Sequence, residues 1–457
     1  MKSLQWTLRE RTALAGLVRD FYVTDVQQIY SYATPRERQV IIDHLASIIE
    51  ACPNLERFSG LILSYDHRYD KLTSALSSRP RLREKIWSIK AAEELIDQNG
   101  EPIVVRRPLA GWDVENPDAF LKAHSNWKLL QRLFLFGQNT GSMDYRAFVA
   151  TFRSLPSLQH LLISNFDGAQ FNDRTLQALP LHLQSLRLQD LRGVTDKGLL
   201  KFANSQACQS LRRLTLIDLE IESGEVLQKF IALPQLRRFA IKQDTAPTLP
   251  RGIDFTTPPY QSRRLTFLHW DILFPGQVHN DLASSISHDN FPSLRKIRAP
   301  NDHDGLLQAL CKPTGDLSRM RDEVLISQIE TGKERRSTLP EARHKAQERI
   351  ERARKQIFIK IIVEEDGIYY PLMDINGFMG KLGSKIEFCL EPDVAGSDEP
   401  LAGLGDLLIA KKGNEVDADG WCAGTGWGDI KPGMEGKKGR THPKRRKVKT
   451  LDMGMFF

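Results

Sequence analysis

LQSLRLQDLRGVTDKGLLKF, residues 183–202, carries Leu183, Leu186, Leu188 and Leu191 at steps of three, two and three. A helix repeats its apolar face every three to four residues and a half-buried strand every two, so neither element alone explains this spacing. The spacing recurs along the chain. Aligned on the first leucine, the copies are NLERF (Leu55), LLQRLFL (Leu130), SLQHLLI (Leu158), HLQSLRL (Leu183), SLRRLTL (Leu211), QLRRFAI (Leu236), RLTFLHW (Leu265) and SLRKIRA (Leu294). From Leu130 onward the steps are 28, 25, 28, 25, 29 and 29 residues. The gap between Leu55 and Leu130 leaves room for further copies, with RLREKIWSI at Leu82 a degenerate candidate and ALAGLVRDFYV at Leu14 an earlier one.

A step of 25–29 residues with L-x-x-L-x-L falls in the range of leucine-rich repeats. Each copy supplies a short strand whose alternate residues point inward, then a segment that returns to start the next. A single copy cannot bury its leucines, whereas stacked neighbours share an interior. The return segments DRTLQAL (173–179), DKGLLKFANS (196–205) and SGEVLQKFIAL (223–233) begin with polar residues and continue with apolar ones at helical spacing, so helices are predicted there. The fold class is therefore α/β, a leucine-rich-repeat solenoid of curved strand-plus-helix repeats. A charged helix, a small β element and a weakly ordered C-terminal tail should follow it. The boundaries read as a helical or degenerate-repeat region at 1–50, the solenoid at 51–312 and a charged helical linker at 313–356. A small β element then occupies 357–392, and a glycine-rich acidic segment with a basic tail occupies 393–457.

VTDKGLLKFANSQACQSLRRLTL (194–216) resembles the cysteine-containing leucine-rich repeats of F-box substrate receptors. Cys52 and Cys208 stand three residues before Leu55 and Leu211, in one register, and Leu191 stands where that repeat often has cysteine. ACPNLERFSGL (51–61) and FPSLRKIRAPNDHDGLLQALCKP (291–313) are similar to segments of fungal F-box proteins, so the resemblance covers residues 10–313. It implies a noncatalytic protein–protein recognition module that selects substrates for a cullin-type ubiquitin ligase. The Leu-Pro-x-Glu-like opening of an F-box does not occur in the chain, so binding of the cullin-ligase adaptor is expected only if an F-box lies upstream.

In L-x-x-L-x-L the leucines face the interior and the other positions line the concave face. Those positions supply Arg187, then Arg212 and Arg213, then Arg237, Arg238 and Lys242, then Phe267 and His269, then Arg295, Lys296 and Arg298. Strands stack ~4.8 Å apart, so arginines of neighbouring copies should form a basic column. Arginine suits bidentate contact with carboxylates and phosphates, so the expected partner is a protein with an acidic or phosphorylated segment. Phe267 and His269 are candidate anchors beside the arginines, while Trp270, in place of the third leucine, reads as core.

The formal charge of +7 is concentrated: residues 431–449 hold nine basic residues against Glu435, and the remainder is close to neutral. The segment from Glu364 to Asp429 is acidic, with fourteen carboxylates. In the tail, Lys444, Arg445, Arg446, Lys447 and Lys449, opened by Pro443, resemble a nuclear-localisation signal, so a nuclear import receptor is a possible partner. The runner-up reading is a nuclear scaffold or nucleic-acid-associated protein that acts through this tail and the helical stretch EARHKAQERIERARK (341–355). Its nucleic-acid affinity would fall steeply with salt. Location in the nucleus, the cytoplasm or both is expected.

Five widely spaced cysteines suggest a reducing compartment without disulfides or structural zinc. No apolar run approaches the ~18 residues of a membrane span. The chain lacks a phosphate-binding Gly-x-x-x-x-Gly-Lys-Ser/Thr loop, a dinucleotide fingerprint and a His-Glu-x-x-His pair. GTGWGD (424–429) has no lysine where a phosphate loop needs one, and NDHDG (301–305) reads as a turn after the last repeat. Neither catalysis nor a metal nor another cofactor is expected.

Overall fold

Each copy of the leucine pattern folds as a short strand followed by a return segment. The computed structural model describes residues 1–23, 26–62, 64–65, 70–90, 117–138, 143–249, 258–302, 305–313, 364–365, 368–369 and 384–389. These fall in two compact units, the first within Met1–Leu236 and the second within Arg237–Ala402. The predicted helix at 341–355, the apolar stretch 357–363, GTGWGD and the basic tail all lie outside the described residues.

The first unit opens with α1 (Lys2–Glu10), α2 (Thr12–Ala15), β1 (Asp20–Tyr22), α3 (Val26–Tyr32), α4 (Pro35–Ala51), β2 (Arg57–Ser59) and β3 (Ser64–Tyr65). It continues with α5 (Lys71–Ser77), β4 (Glu84–Lys90), α6 (Pro117–His124), β5 (Arg132–Gln138), α7 (Tyr145–Ser154) and β6 (His160–Phe166). It closes with α8 (Asp173–Gln177), β7 (Ser185–Leu191), α9 (Asp196–Ala203), α10 (Gln206–Gln209), β8 (Arg213–Ile217) and α11 (Gly224–Ile231). The three return segments predicted as helices are α8, α9 and α11. α4 starts cleanly because Thr34 and Glu37 form a capping box and Pro35 presets the first turn.

Strands β3 to β8 pair in chain order and in parallel, and β1 pairs with β2. The register places Lys85, Leu133, Leu161, Leu186 and Leu214 in one inward row. Trp87, Leu135, Ile163, Leu188 and Leu216 form the next. All ten are buried, and burying a leucine-sized side chain contributes about 1.5–3 kcal/mol. The degenerate copy at Leu82 belongs to the stack, since Arg83 N donates to Glu56 O and Gln131 N to Arg83 O. An earlier copy also exists, but not with Leu14 as its first leucine. The pairing Asp20–Arg57 aligns Val18 with Leu55, and Leu14 is exposed on α2.

Each coil must turn away from its strand, and the turn has a side-chain signature. Asn165, Asp190 and Asp218 adopt φ of 60°, 50° and 49°, spaced by 25 and 28 residues as the leucines are. Asn and Asp visit this left-handed region more readily than other side chains. Asn165 also ties neighbouring coils, donating from Nδ2 to Gly137 O at 2.9 Å. Return helices are linked by carboxylates. Asp173 accepts from Thr195 N (2.9 Å) and Oγ1 (2.7 Å), and Asp196 accepts from Ser223 N (2.7 Å) and Glu222 N (3.2 Å). A Cβ at Gly198 would collide with the Asp173 carboxylate, so this position needs glycine.

The second unit contains β9 (Arg238–Thr245), β10 (Phe267–Phe274), α12 (Gly276–Ser287), β11 (Lys296–Arg298) and a 3₁₀ turn at Gln308–Leu310. After these come β12 (Lys312–Pro313), β13 (Glu364–Glu365), β14 (Ile368–Tyr369) and β15 (Glu387–Cys389). β9, β10, β11, β15 and β12 form a parallel sheet in that order. Trp270 is core, as its leucine position predicts. β13 and β14 pair antiparallel across the predicted Asp366–Gly367 turn. The small β element is not separate from the repeats throughout, because β15 inserts between β11 and β12 and prolongs their sheet. Cys52, Cys208 and Cys311 are buried free thiols. Among the described residues no helix is long and apolar enough to cross a membrane.

Candidate partner-binding face

The outward positions of the repeat form rows, and the rows differ in character. In the first unit, the row at the start of the strands runs Glu84, Arg132, His160, Ser185, Arg213. The residues just before it, Arg83, Gln131, Gln159, Gln184 and Arg212, are joined by backbone N–H to carbonyl bonds from coil to coil. Towards the β4 end of this row, Glu56 and Glu84 each bridge two arginines. Glu56 pairs with Arg19 at 2.7 Å and with Arg83 at 2.9 Å. Glu84 pairs with Arg57 at 3.5 Å and with Arg132.

At the other end the charge is positive. Arg212 is exposed and makes no ion pair among the described residues, and Arg213 is half-buried. His160 lies between the two characters, its Nδ1 2.9 Å from Ser185 Oγ. Burial, with the positive charges of Arg132 and Arg213, pushes its pKa down to about 4, so it is neutral at pH 7.

In the second unit the leading row runs Arg238, Phe267, Lys296, Glu387. The Arg238 guanidinium lies 4.5 Å from the Phe267 ring centroid, a cation–π contact across neighbouring strands. Arg237, Thr266 and Arg295, which precede this row, are exposed and linked by backbone hydrogen bonds. Arg295 Nη1 donates to Leu294 O at 2.9 Å and to Pro292 O at 3.3 Å, so its side chain folds back on the segment that leads into β11. Phe267 and Lys296 are half-buried. The structure thus brings Arg237, Arg238, Phe267, Arg295 and Lys296 together.

The middle row, between the two inward leucines, departs from expectation. Arg187, His269 and Arg298 were expected to be accessible on the concave face, and their exposures are 1%, 0% and 4%. In the first unit this row reads Ile86, Phe134, Leu162, Arg187, Thr215, half-buried at Ile86 and buried from Phe134 onward. Arg187 lies between Leu162 and Thr215 and donates to Gln189 Oε1 at 2.7 Å. In the second unit Arg298 Nη1 lies 3.1 Å from His269 Nε2, which is 3.7 Å from Asp271 Oδ2. Asp271 accepts from Asn301 Nδ2 at 2.6 Å, and Lys242, half-buried, stands in register with it. Arg298, His269, Asp271 and Asn301 thus contact one another, and Arg187, His269 and Arg298 are withdrawn into the interior, whereas Lys242 stays half-buried. The tail residues Lys444, Arg445, Arg446, Lys447 and Lys449 lie outside the described residues.

The paired Glu56 and Glu84 escaped the sequence reading because their arginines belong to other coils. NDHDG holds a second surprise: Asp302 accepts from Gln308 N at 2.7 Å and lies 2.9 Å from His279 Nε2 on α12, anchoring the turn after β11. His303 and Asp304 lie outside the described residues, and among the described ones no cluster of metal ligands forms.

Comparison with known protein families returns no match, and no curated protein matches the chain. Among solved structures, the chain is similar to the leucine-rich-repeat-containing protein LegL7 of Legionella pneumophila. The two are 16% identical with a TM-score of 0.33, over 66% of this chain and 92% of that one.

Proposed function

We propose that the chain is a noncatalytic protein-recognition module that grips an acidic or phosphorylated segment along the leading rows of its repeat sheets. The carrying observation is the Arg238–Phe267 stack flanked by Arg237, Arg295 and Lys296. An aromatic ring that orients a guanidinium lowers the entropy lost when that guanidinium forms a fork-like pair with carboxylate or phosphate. Arg212 and Arg213 offer the same chemistry in the first unit. The cationic row positions Arg212, Arg213, Arg237, Arg238, Arg295 and Lys296 are exposed or half-buried, as a binding surface requires.

The finer reading, substrate selection for a cullin-type ubiquitin ligase, rests on the resemblance of the repeats and on an F-box upstream. Co-purification of the cullin-ligase adaptor with the natural full-length product tests it. Nuclear import through Lys444–Lys449 is tested by a fluorescent fusion, which should move to the cytoplasm when Lys444, Arg445, Arg446 and Lys447 become alanine.

Binding itself is tested with a panel of acidic and phosphorylated peptides by fluorescence anisotropy. Arg238→Glu should weaken the best binder at least tenfold, and Phe267→Ala severalfold, while the melting temperature stays within a few degrees. Unchanged affinity in both variants removes the proposal. A loss that tracks salt steeply and extends equally to single-stranded nucleic acid would favour a polyanion contact instead.

A further inference from the structure

The copy at Leu82 departs from the repeat at one core position: Lys85 stands in register with Leu133, Leu161, Leu186 and Leu214. Its side chain does not turn out to water, being 5% exposed, with Nζ 3.8 Å from the Trp87 ring centroid. Around it is an aromatic interior. Tyr65 and Phe120 pack edge-on to each other at 5.2 Å, and both rings contact Trp87. The His124 ring lies 4.3 Å from that of Phe120, tilted by 44°.

The hydrogen-bonding atoms nearby are already committed. Trp87 Nε1 donates to His124 Nε2 at 3.1 Å, His124 Nδ1 is 2.7 Å from Phe120 O, and Trp127 Nε1 donates to Leu76 O at 3.0 Å. An ammonium group at this position has the face of Trp87 but little else to replace its water.

We propose that Lys85 makes the coil built on β4 a proton-sensitive joint, closed when the side chain is a neutral amine and more readily opened when it is an ammonium. Among the described residues, the titratable groups around Lys85 are few. Asp70, the N-cap of α5, favours the ammonium, and His124 on α6 is neutral. Tyr65 comes from β3, and Glu84, next in sequence, points to the opposite face and is engaged by Arg132 and Arg57. Burial outweighs Asp70 and lowers the pKa of Lys85 to about 7.

The sign follows from this direction. An unfolded lysine titrates near 10.4, so between about pH 7 and that value the opened state holds the extra proton, and raising the pH closes the joint. Below about pH 7 both states are protonated and the dependence vanishes. The joint therefore responds to proton concentration on the alkaline side of neutrality, and it sits between the pairings of β4 with β3 and with β5.

The test is hydrogen exchange of the full chain between pH 6 and 9, with rates over residues 84–90 and 132–138 corrected for intrinsic exchange. The opening constant should fall about tenfold per pH unit above pH 7 in the natural protein and stay flat in Lys85→Met. Parallel profiles for the two proteins overturn the proposal. Should Lys85→Met fail to fold, a lysine-selective NMR titration of the natural protein decides. A single lysine titrating near pH 7 is the expected result, and every lysine titrating above pH 9 overturns it.

Discussion

His124 shows how much a single buried side chain can govern. It is fully buried, with one ring nitrogen on Phe120 O and the other accepting from Trp87. Burial, reinforced by Lys85, holds its pKa at about 3 although the Phe120 bond pulls the other way. An unfolded histidine titrates near 6.5, so the stability linked to His124 is complete above that pH and is lost as pH falls towards 3. As pH falls below 6.5 the natural protein should lose stability from this group alone at a slope that approaches about 1.4 kcal/mol per pH unit near pH 5, measured by urea unfolding. His124→Gln, which retains an acceptor for Trp87, should show a shallower slope, and equal slopes would contradict the assignment. Nothing in the sequence pointed to His124. Its partners are 37 and 4 residues away, and the contact with Trp87 exists only because coils stack. By contrast, Trp270 was legible, because a leucine position dictates burial whatever residue fills it.

At the scale of elements, strands and helices were legible because one coil fixes their spacing. The leading and middle rows were not told apart, although the clue was present: Phe134 and Leu162 are apolar at outward positions. From Phe134 onward the middle row is closed to water, and Arg187 enters it with Gln189 as its acceptor. The first-leucine rule also misplaced the earliest copy by four residues, since Val18 substitutes for leucine there. The link between return helices makes a sharp prediction. Asp173→Ala removes two hydrogen bonds to Thr195 and should cost about 1–2 kcal/mol. Gly198→Ala should also destabilise, because its methyl meets the Asp173 carboxylate. In the double variant that collision is absent, so the combined loss should be smaller than the sum. Strict additivity in thermal unfolding would show that the two side chains do not meet.

On the scale of the whole chain, each unit is stabilised by neighbour-to-neighbour packing, since no coil encloses its own leucines. This is why a period of 25–29 residues, and not any catalytic motif, carries the functional reading. In the proposed reading, recognition falls to a few exposed or half-buried cations whose positions the stack determines. The single most direct test is the unfolding of Leu186→Asp, measured by calorimetry on the full chain. Leu186 is fully buried between Leu161 and Leu214, and an unpaired carboxylate there costs several kcal/mol. The cooperative transition of the first unit should be lost or shift down by well over 10 °C, with exchange protection falling in β6, β7 and β8 together. An unchanged transition, or protection lost in β7 alone, would contradict a shared interior.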